Sequence, residues 1–196
     1  KRILFNGNGY DDKWTEEATK VRGLLNYRTT PDCMPHLLDE KNVKMLTSHG
    51  VFTITELKSR CEIMLDNYCK TVVIEANTMS DMARKDILPA IESYIKELCE
   101  TAAAKKQFGQ GTSCAFETKT VTELSALAEG ILRETEELKA EVESLKKAEN
   151  AEKEGCLIRD HVLPKMSSLR ALADKAEILT AEKYWPFPTY GKLLFG

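Results

Sequence analysis

The stretch TVTELSALAEGILRETEELKAEVESL, residues 120–145, decides the fold class. Leu124, Ala128, Ile131, Thr135, Leu138, Val142 and Leu145 follow one another at alternating intervals of four and three residues. That spacing keeps a stripe of side chains on one face of an α-helix and seats it against a neighbouring helix. Glu129 with Arg133, and Glu143 with Lys147, stand one turn apart on the outer side, where opposite charges support a solvated helical face.

The same periodicity continues on both sides. Upstream, Thr53 and Glu56 have the spacing of a capping box, and Leu57, Cys61, Met64 and Tyr68 then recur at helical intervals. A long helix is expected from there to about Lys106; ~50 residues would span ~75 Å. Pro89 removes one hydrogen bond and crowds the preceding turn, so a kink or short break is expected near Asp86 to Pro89. The glycines of FGQGTSCAF end that helix. Downstream, a turn near Asn150 to Gly155 leads into a last helix from about Glu152 to Thr180. It carries Ile158, Val162, Leu169, Leu172, Ala176 and Leu179 on one side and is interrupted by Pro164. DILPAI and HVLPKM resemble each other, and both prolines are placed to mark where antiparallel helices bend together. The fold class read from these segments is all-α: an antiparallel bundle of long, partly proline-kinked helices with an extended aromatic C-terminal tail. Before the bundle, RILF is strand-like and is followed by a turn at Asn6 to Gly9. DDKWTEEATKVRGLL has the charge order of a short helix, and HLLDEKNVKMLTSHG reads as a second that stops at Gly50.

Composition narrows the function. The 196 residues are 42% hydrophobic and 30% charged with a net charge of −3, a soluble globular balance without the basic block that a nucleic-acid footprint requires. No apolar run reaches the ~20 residues needed to cross a bilayer, which points to a cytoplasmic protein without a membrane partner. The six cysteines, at 33, 61, 69, 99, 114 and 156, are irregularly spaced and read as reduced, buried, small hydrophobes. His36, His49 and His161 do not pair at zinc-ligand spacing, and NGNGY matches no phosphate-loop pattern, so a tight turn is expected there. Glu75 and Asp86 adjoin apolar stretches. A partly buried Glu75 holding an arginine across the bundle is the structural role expected of it. No catalytic, cofactor-binding or metal-ligating residue is assigned within the chain.

EKYWPFPTYGKLLFG, residues 182–196, is a different kind of sequence. Tyr184, Trp185, Phe187, Tyr190, Leu193, Leu194 and Phe195 are set among Pro186, Pro188 and two glycines. A terminus needs buried contacts to offset the entropy of ordering it, so this one is expected to dock. Tyr184, Trp185, Phe187, Tyr190 and Phe195 are the expected interface anchors. Two docks are consistent with the residues: a lid over the chain's own bundle, or a latch onto another domain or subunit.

RILFNGNGY, TELKSR at 55–60, NYCKTVVIEANTM at 67–79, KDILPAI at 85–91 and above all LTAEKYWPFPTYGKLLF at 179–195 together resemble the C-terminal region of type III glutamine synthetases. The resemblance covers nearly the whole chain and is weakest through Glu129 to Gly155. It implies a parent that is an ATP- and magnesium-dependent ligase joining ammonia to glutamate through a γ-glutamyl phosphate, in a ring-stacked homo-oligomer. It also implies that the family's metal ligands and phosphate-binding arginines lie upstream of Lys1, so that no catalytic residue carries over and this chain alone is inactive. Residues 1–30 would then close the catalytic domain, 31–181 form a helical C-terminal domain and 182–196 a docking tail. The chain opens without Met, in keeping with a piece of something longer. The partners implied are the rest of the same enzyme and neighbouring subunits. A free-standing helical interaction module is the other reading of the same residues.

Overall fold

The computed structural model of the protein describes residues 3–109, 111–188 and 190–195, with residues 190 and 191 described by backbone alone. Helices connected by short loops account for the regular structure among them, and the fold is an all-α bundle. The chain divides into two compact units, Lys1–Tyr68 and Cys69–Gly196.

The first unit holds α1 (Asp12–Glu16), α2 (Thr30–Cys33), α3 (Glu40–Ser48) and the N-terminal part of α4 (Ile54–Met82). RILF gives no strand: Leu4 to Asn6 are irregular, because Phe5 stacks on Trp14 at 4.3 Å instead of pairing in a sheet. Arg22 lies 5.0 Å over the Trp14 ring, donates to the Leu4 carbonyl and pairs with Glu17 at 2.6 Å. Helix α1 continues through a wide turn, Glu17–Val21, and stops at Gly23, whose φ of 63° is the left-handed conformation that glycine adopts without a Cβ clash. Helix α3 ends as its sequence predicts. Gly50 has φ 65°, its N–H bonds to the Thr47 carbonyl, and the Val51 N–H reaches back to Leu46, the paired bonds of a Schellman cap.

The capping box at the start of α4 is present. The Thr53 N–H donates to Glu56 Oε2 at 2.7 Å, and the Glu56 N–H donates to Thr53 Oγ1 at 3.2 Å. The Thr53 hydroxyl also donates to Glu56 Oε2, at 2.8 Å, and the bonds from the Thr53 N–H first and its hydroxyl second hold the Glu56 carboxyl below its ordinary value. Along α4 the buried positions of the first unit are Leu57, Cys61 and Leu65. Met64, expected in that stripe, is 46% exposed, because the buried positions step by four residues and pass to Leu65.

The second unit is built of the rest of α4, then α5 (Leu88–Phe108), α6 (Ala115–Ser144), α7 (Ala151–Leu157), α8 (Leu163–Leu179) and the short α9 (Tyr190–Phe195). Helix α6 packs against both α5 and α8. Cross-links running along these helices give their directions. Lys105 pairs with Glu117 beside the α5–α6 loop, and the Cys69 thiol donates to the Ala151 carbonyl at 3.5 Å toward the other end. The second-unit part of α4 and α5 therefore run antiparallel to α6. Lys165 pairs with Glu137 and with Glu134 at 3.4 Å, and Gly130 faces Leu172, so α8 is antiparallel to α6 in turn. Of the seven stripe residues between Leu124 and Leu145, six are buried and Val142 is half-buried; the last, Leu145, lies just past the end of α6.

Each Leu-Pro pair follows a wide helical turn, Ala83–Ile87 before Pro89 and Ile158–Val162 before Pro164. The Leu88 N–H bonds to the Ala83 carbonyl and the Leu163 N–H to that of Ile158, five residues back instead of four. One extra residue opens the turn into which the proline ring must fit. Leu88 keeps helical angles, φ −59° and ψ −47°, so the chain stays helical up to the proline.

Two other expectations are corrected. Glu75 is exposed, since Val72 and Ala76 take the inward positions of that turn; among the described residues the buried carboxylate is Glu117, 3% exposed and paired with Lys105. Only Cys61 and Cys69 are buried, while Cys33 and Cys99 are exposed and Cys114 and Cys156 intermediate.

Two substitutions test this packing. Thr53→Ala removes a cap and should cost about 1 kcal/mol in denaturant unfolding. A Cβ at Gly130 would stand 3.1 Å from Leu172 Cδ1, so Gly130→Leu should destabilise the bundle by ~1–3 kcal/mol through overpacking between α6 and α8.

Candidate interaction surface of the C-terminal segment

Residues after α8 leave the helix at Thr180, which is buried and returns its hydroxyl to the Ala176 carbonyl at 2.7 Å. A tight turn follows, in which the Tyr184 N–H bonds to Ala181 O at 2.9 Å and the Trp185 N–H to Glu182 O at 3.2 Å. The turn delivers Lys183 and Tyr184 to Glu97 on α5. Lys183 Nζ lies 2.6 Å from Glu97 Oε2, the Tyr184 hydroxyl donates to the same oxygen, and the Tyr184 ring meets that of Tyr94 at 5.5 Å. Three ionisable groups meet here. Lys183 first and Tyr184 second hold the Glu97 carboxyl below its ordinary value near 4.5, while Glu97 pushes both Lys183 and Tyr184 upward.

Beyond the turn, Trp185 and Phe187 meet edge to face, with ring centres 6.3 Å apart, and both are half-buried. They form one wall of a groove of about 640 Å³ that also contains Met79, Met82, Met166 and Leu193. Acidic side chains, Glu75, Asp174 and Glu177, stand around it. Arg170, also at the groove, pairs with Asp174 at 2.5 Å. Tyr190–Phe195 form α9, where Leu193, Leu194 and Phe195 are 66%, 70% and 88% exposed. Lys192 pairs with Glu182 at 3.0 Å.

Of the five expected anchors, the structure brings Tyr184, Trp185 and Phe187 onto the second unit itself and leaves Phe195 projecting. The Tyr190 side chain lies outside the described residues. Sequence reasoning missed Tyr94 and Glu97, the partners of the turn. Their spacing places both on one face of α5, but nothing local marks a contact across more than eighty residues of chain.

Residues 1–106 match the family model described as the glutamine synthetase C-terminal domain. The chain is 40% identical over 202 residues to a glutamine synthetase of Butyrivibrio fibrisolvens, covering 100% of this chain and 28% of that protein. It is 30% identical over 198 residues to a type-3 glutamine synthetase of Dictyostelium discoideum, covering 99% and 27%. A glutamine synthetase of Bacteroides fragilis is 28% identical over 204 residues, covering 98% and 27%. The chain belongs to the glutamine synthetase C-terminal domain family, as the C-terminal region of the type III enzymes. It spans little more than a quarter of the length of these relatives.

The Glu97 cluster makes the seating of the turn acid-sensitive. A carboxyl held below its ordinary value contributes stability that is complete above that value and fades as pH falls through the lowered one. With Trp14→Phe leaving Trp185 as the sole tryptophan, emission should be constant from about pH 4.5 to about pH 10 and shift to the red below about pH 4.5. Glu97→Gln should show the red-shifted emission already at neutral pH. An acid shift unaltered by that substitution would assign it to other carboxylates.

Proposed function

We propose that this chain is the non-catalytic, structural and oligomerisation region of a type III glutamine synthetase whose parent makes glutamine from glutamate, ammonia and ATP. The likeness over essentially the whole chain to glutamine synthetases several times its length carries this reading. In it, the parent is a cytoplasmic homo-oligomer and binds ATP and magnesium outside this region. Among the described residues no three His, Cys, Asp or Glu side chains converge as a metal site would need, and no reaction step is assigned to them.

The tail is proposed to act in two parts. Tyr184, Trp185 and Phe187 are its root, seated on the bundle, and their contacts with Tyr94, Glu97 and the groove support that role. Tyr190 and Phe195, with Leu193 and Leu194, are its free end, offered to the catalytic domain or a neighbouring subunit. The exposure of three large apolar side chains on six residues of α9 supports this, since aromatic anchors concentrate binding energy at interfaces.

Deleting residues 182–196 from the full-length parent should dissociate the assembly into smaller species and abolish glutamine formation, read by light scattering and phosphate release. Leu194→Ser with Phe195→Ser should do the same while leaving the melting temperature of the isolated chain unchanged. A parent that keeps its mass and activity after the deletion would remove the tail from assembly. The isolated chain, given glutamate, ammonia, ATP and Mg²⁺, should release no phosphate above background. Turnover abolished by a point change within the chain would overturn the non-catalytic reading.

A further inference from the structure

We propose that the methionine-lined groove of the second unit is a docking site for a basic amphipathic helix of a partner protein. Its apolar interior combines Met79, Met82 and Met166 with Trp185 and Phe187. Thioether side chains are flexible and polarizable, so a surface rich in them adapts to the apolar anchors of an incoming helix, as a packed aliphatic surface does not. Ile74, 65% exposed, and Met82, 38% exposed, keep part of that surface open to solvent.

The charge around the groove selects the occupant. Among the described residues that line the groove, Glu75, Asp174 and Glu177 stand with one cation, Arg170, which is held by Asp174 at 2.5 Å. Glu75 and Glu177 form no ion pair among the described residues, so the surplus at the rim is negative. An apolar interior with a negative rim complements a helix bearing an apolar stripe flanked by Lys or Arg, and repels an acidic one. The wall contributed by Ile74 through Ile87 extends about 20 Å at the helical rise, enough to seat a helix of three to four turns through anchors at i, i+3 or i+4 and i+7. The proposal concerns the isolated chain's own surface and is independent of what the parent enzyme catalyses.

The test uses the 196-residue chain carrying Trp14→Phe, so that emission reports Trp185. The probe is a synthetic helix of about fourteen residues with Leu on one face and Lys on the other. Controls are a scrambled peptide of the same composition and a peptide with Glu in place of Lys. The Leu/Lys helix should give a saturable change in emission, with affinity reduced at least tenfold by Glu75→Lys with Glu177→Lys, two exposed positions whose exchange should leave the circular dichroism unchanged. The two control peptides should give no saturable response. Equal binding of the scrambled peptide, or undiminished binding by the charge-reversed variant, would overturn the proposal. So would a concentration-dependent dimer of the chain abolished by Met82→Glu, which would give the groove to a second copy.

Discussion

Helix α6 has neighbours on two sides, and the second unit depends on that. A helix facing one partner needs a single apolar stripe, whereas one lying between α5 and α8 must bury more of its circumference. Leu124, Ile131 and Leu138 are completely buried, and Thr120, Gly130 and Thr135 are buried as well. The polar member at the centre is satisfied internally, since the Thr135 hydroxyl donates to the Ile131 carbonyl at 2.7 Å. Gly130 lets Leu172 of α8 approach the α6 backbone. A methyl group there would make the two compete for the same space.

The helices flanking α6 carry a complementary constraint. Each contains a Leu-Pro pair within a length that must remain helical to keep its contacts with α6. The wide turns at Ala83–Ile87 and Ile158–Val162 meet both requirements, and each makes its own contacts with α6. They also explain why DILPAI and HVLPKM look alike without being a repeat of the chain. The likeness is that of two helices solving one steric problem in the same way.

These features differ in how far the sequence discloses them. Periodicity over Leu124–Leu145 and the Thr53–Glu56 pair depend on residues close in sequence, and the structure has both where they are expected. The wide turns are partly legible, because proline announces that a helical bond is lost but not how the turn adjusts. Glu75 was misread because adjacency to apolar residues says nothing about facing. A step of one residue moves a side chain by about 100° around the helix, which separates exposed Glu75 from buried Ala76. Glu117 escaped notice for the converse reason. It sits in an ordinary charged context in the sequence, and only the hairpin brings Lys105 to it. The tail was conspicuous for its composition, but its partners Tyr94 and Glu97 lie on another helix and are defined by the tertiary fold alone.

A polar root in so apolar a tail has a physical reason. Apolar burial is non-directional, so Trp185 and Phe187 alone would gain similar energy from several placements across the groove. Lys183 and Tyr184 both converge on one carboxylate oxygen of Glu97, and that geometry can be met in very few ways. Pro186 and Pro188 follow immediately and restrict the backbone before it docks, lowering the entropy lost on ordering. Orientation is thus set by the turn and apolar contact by the residues after it.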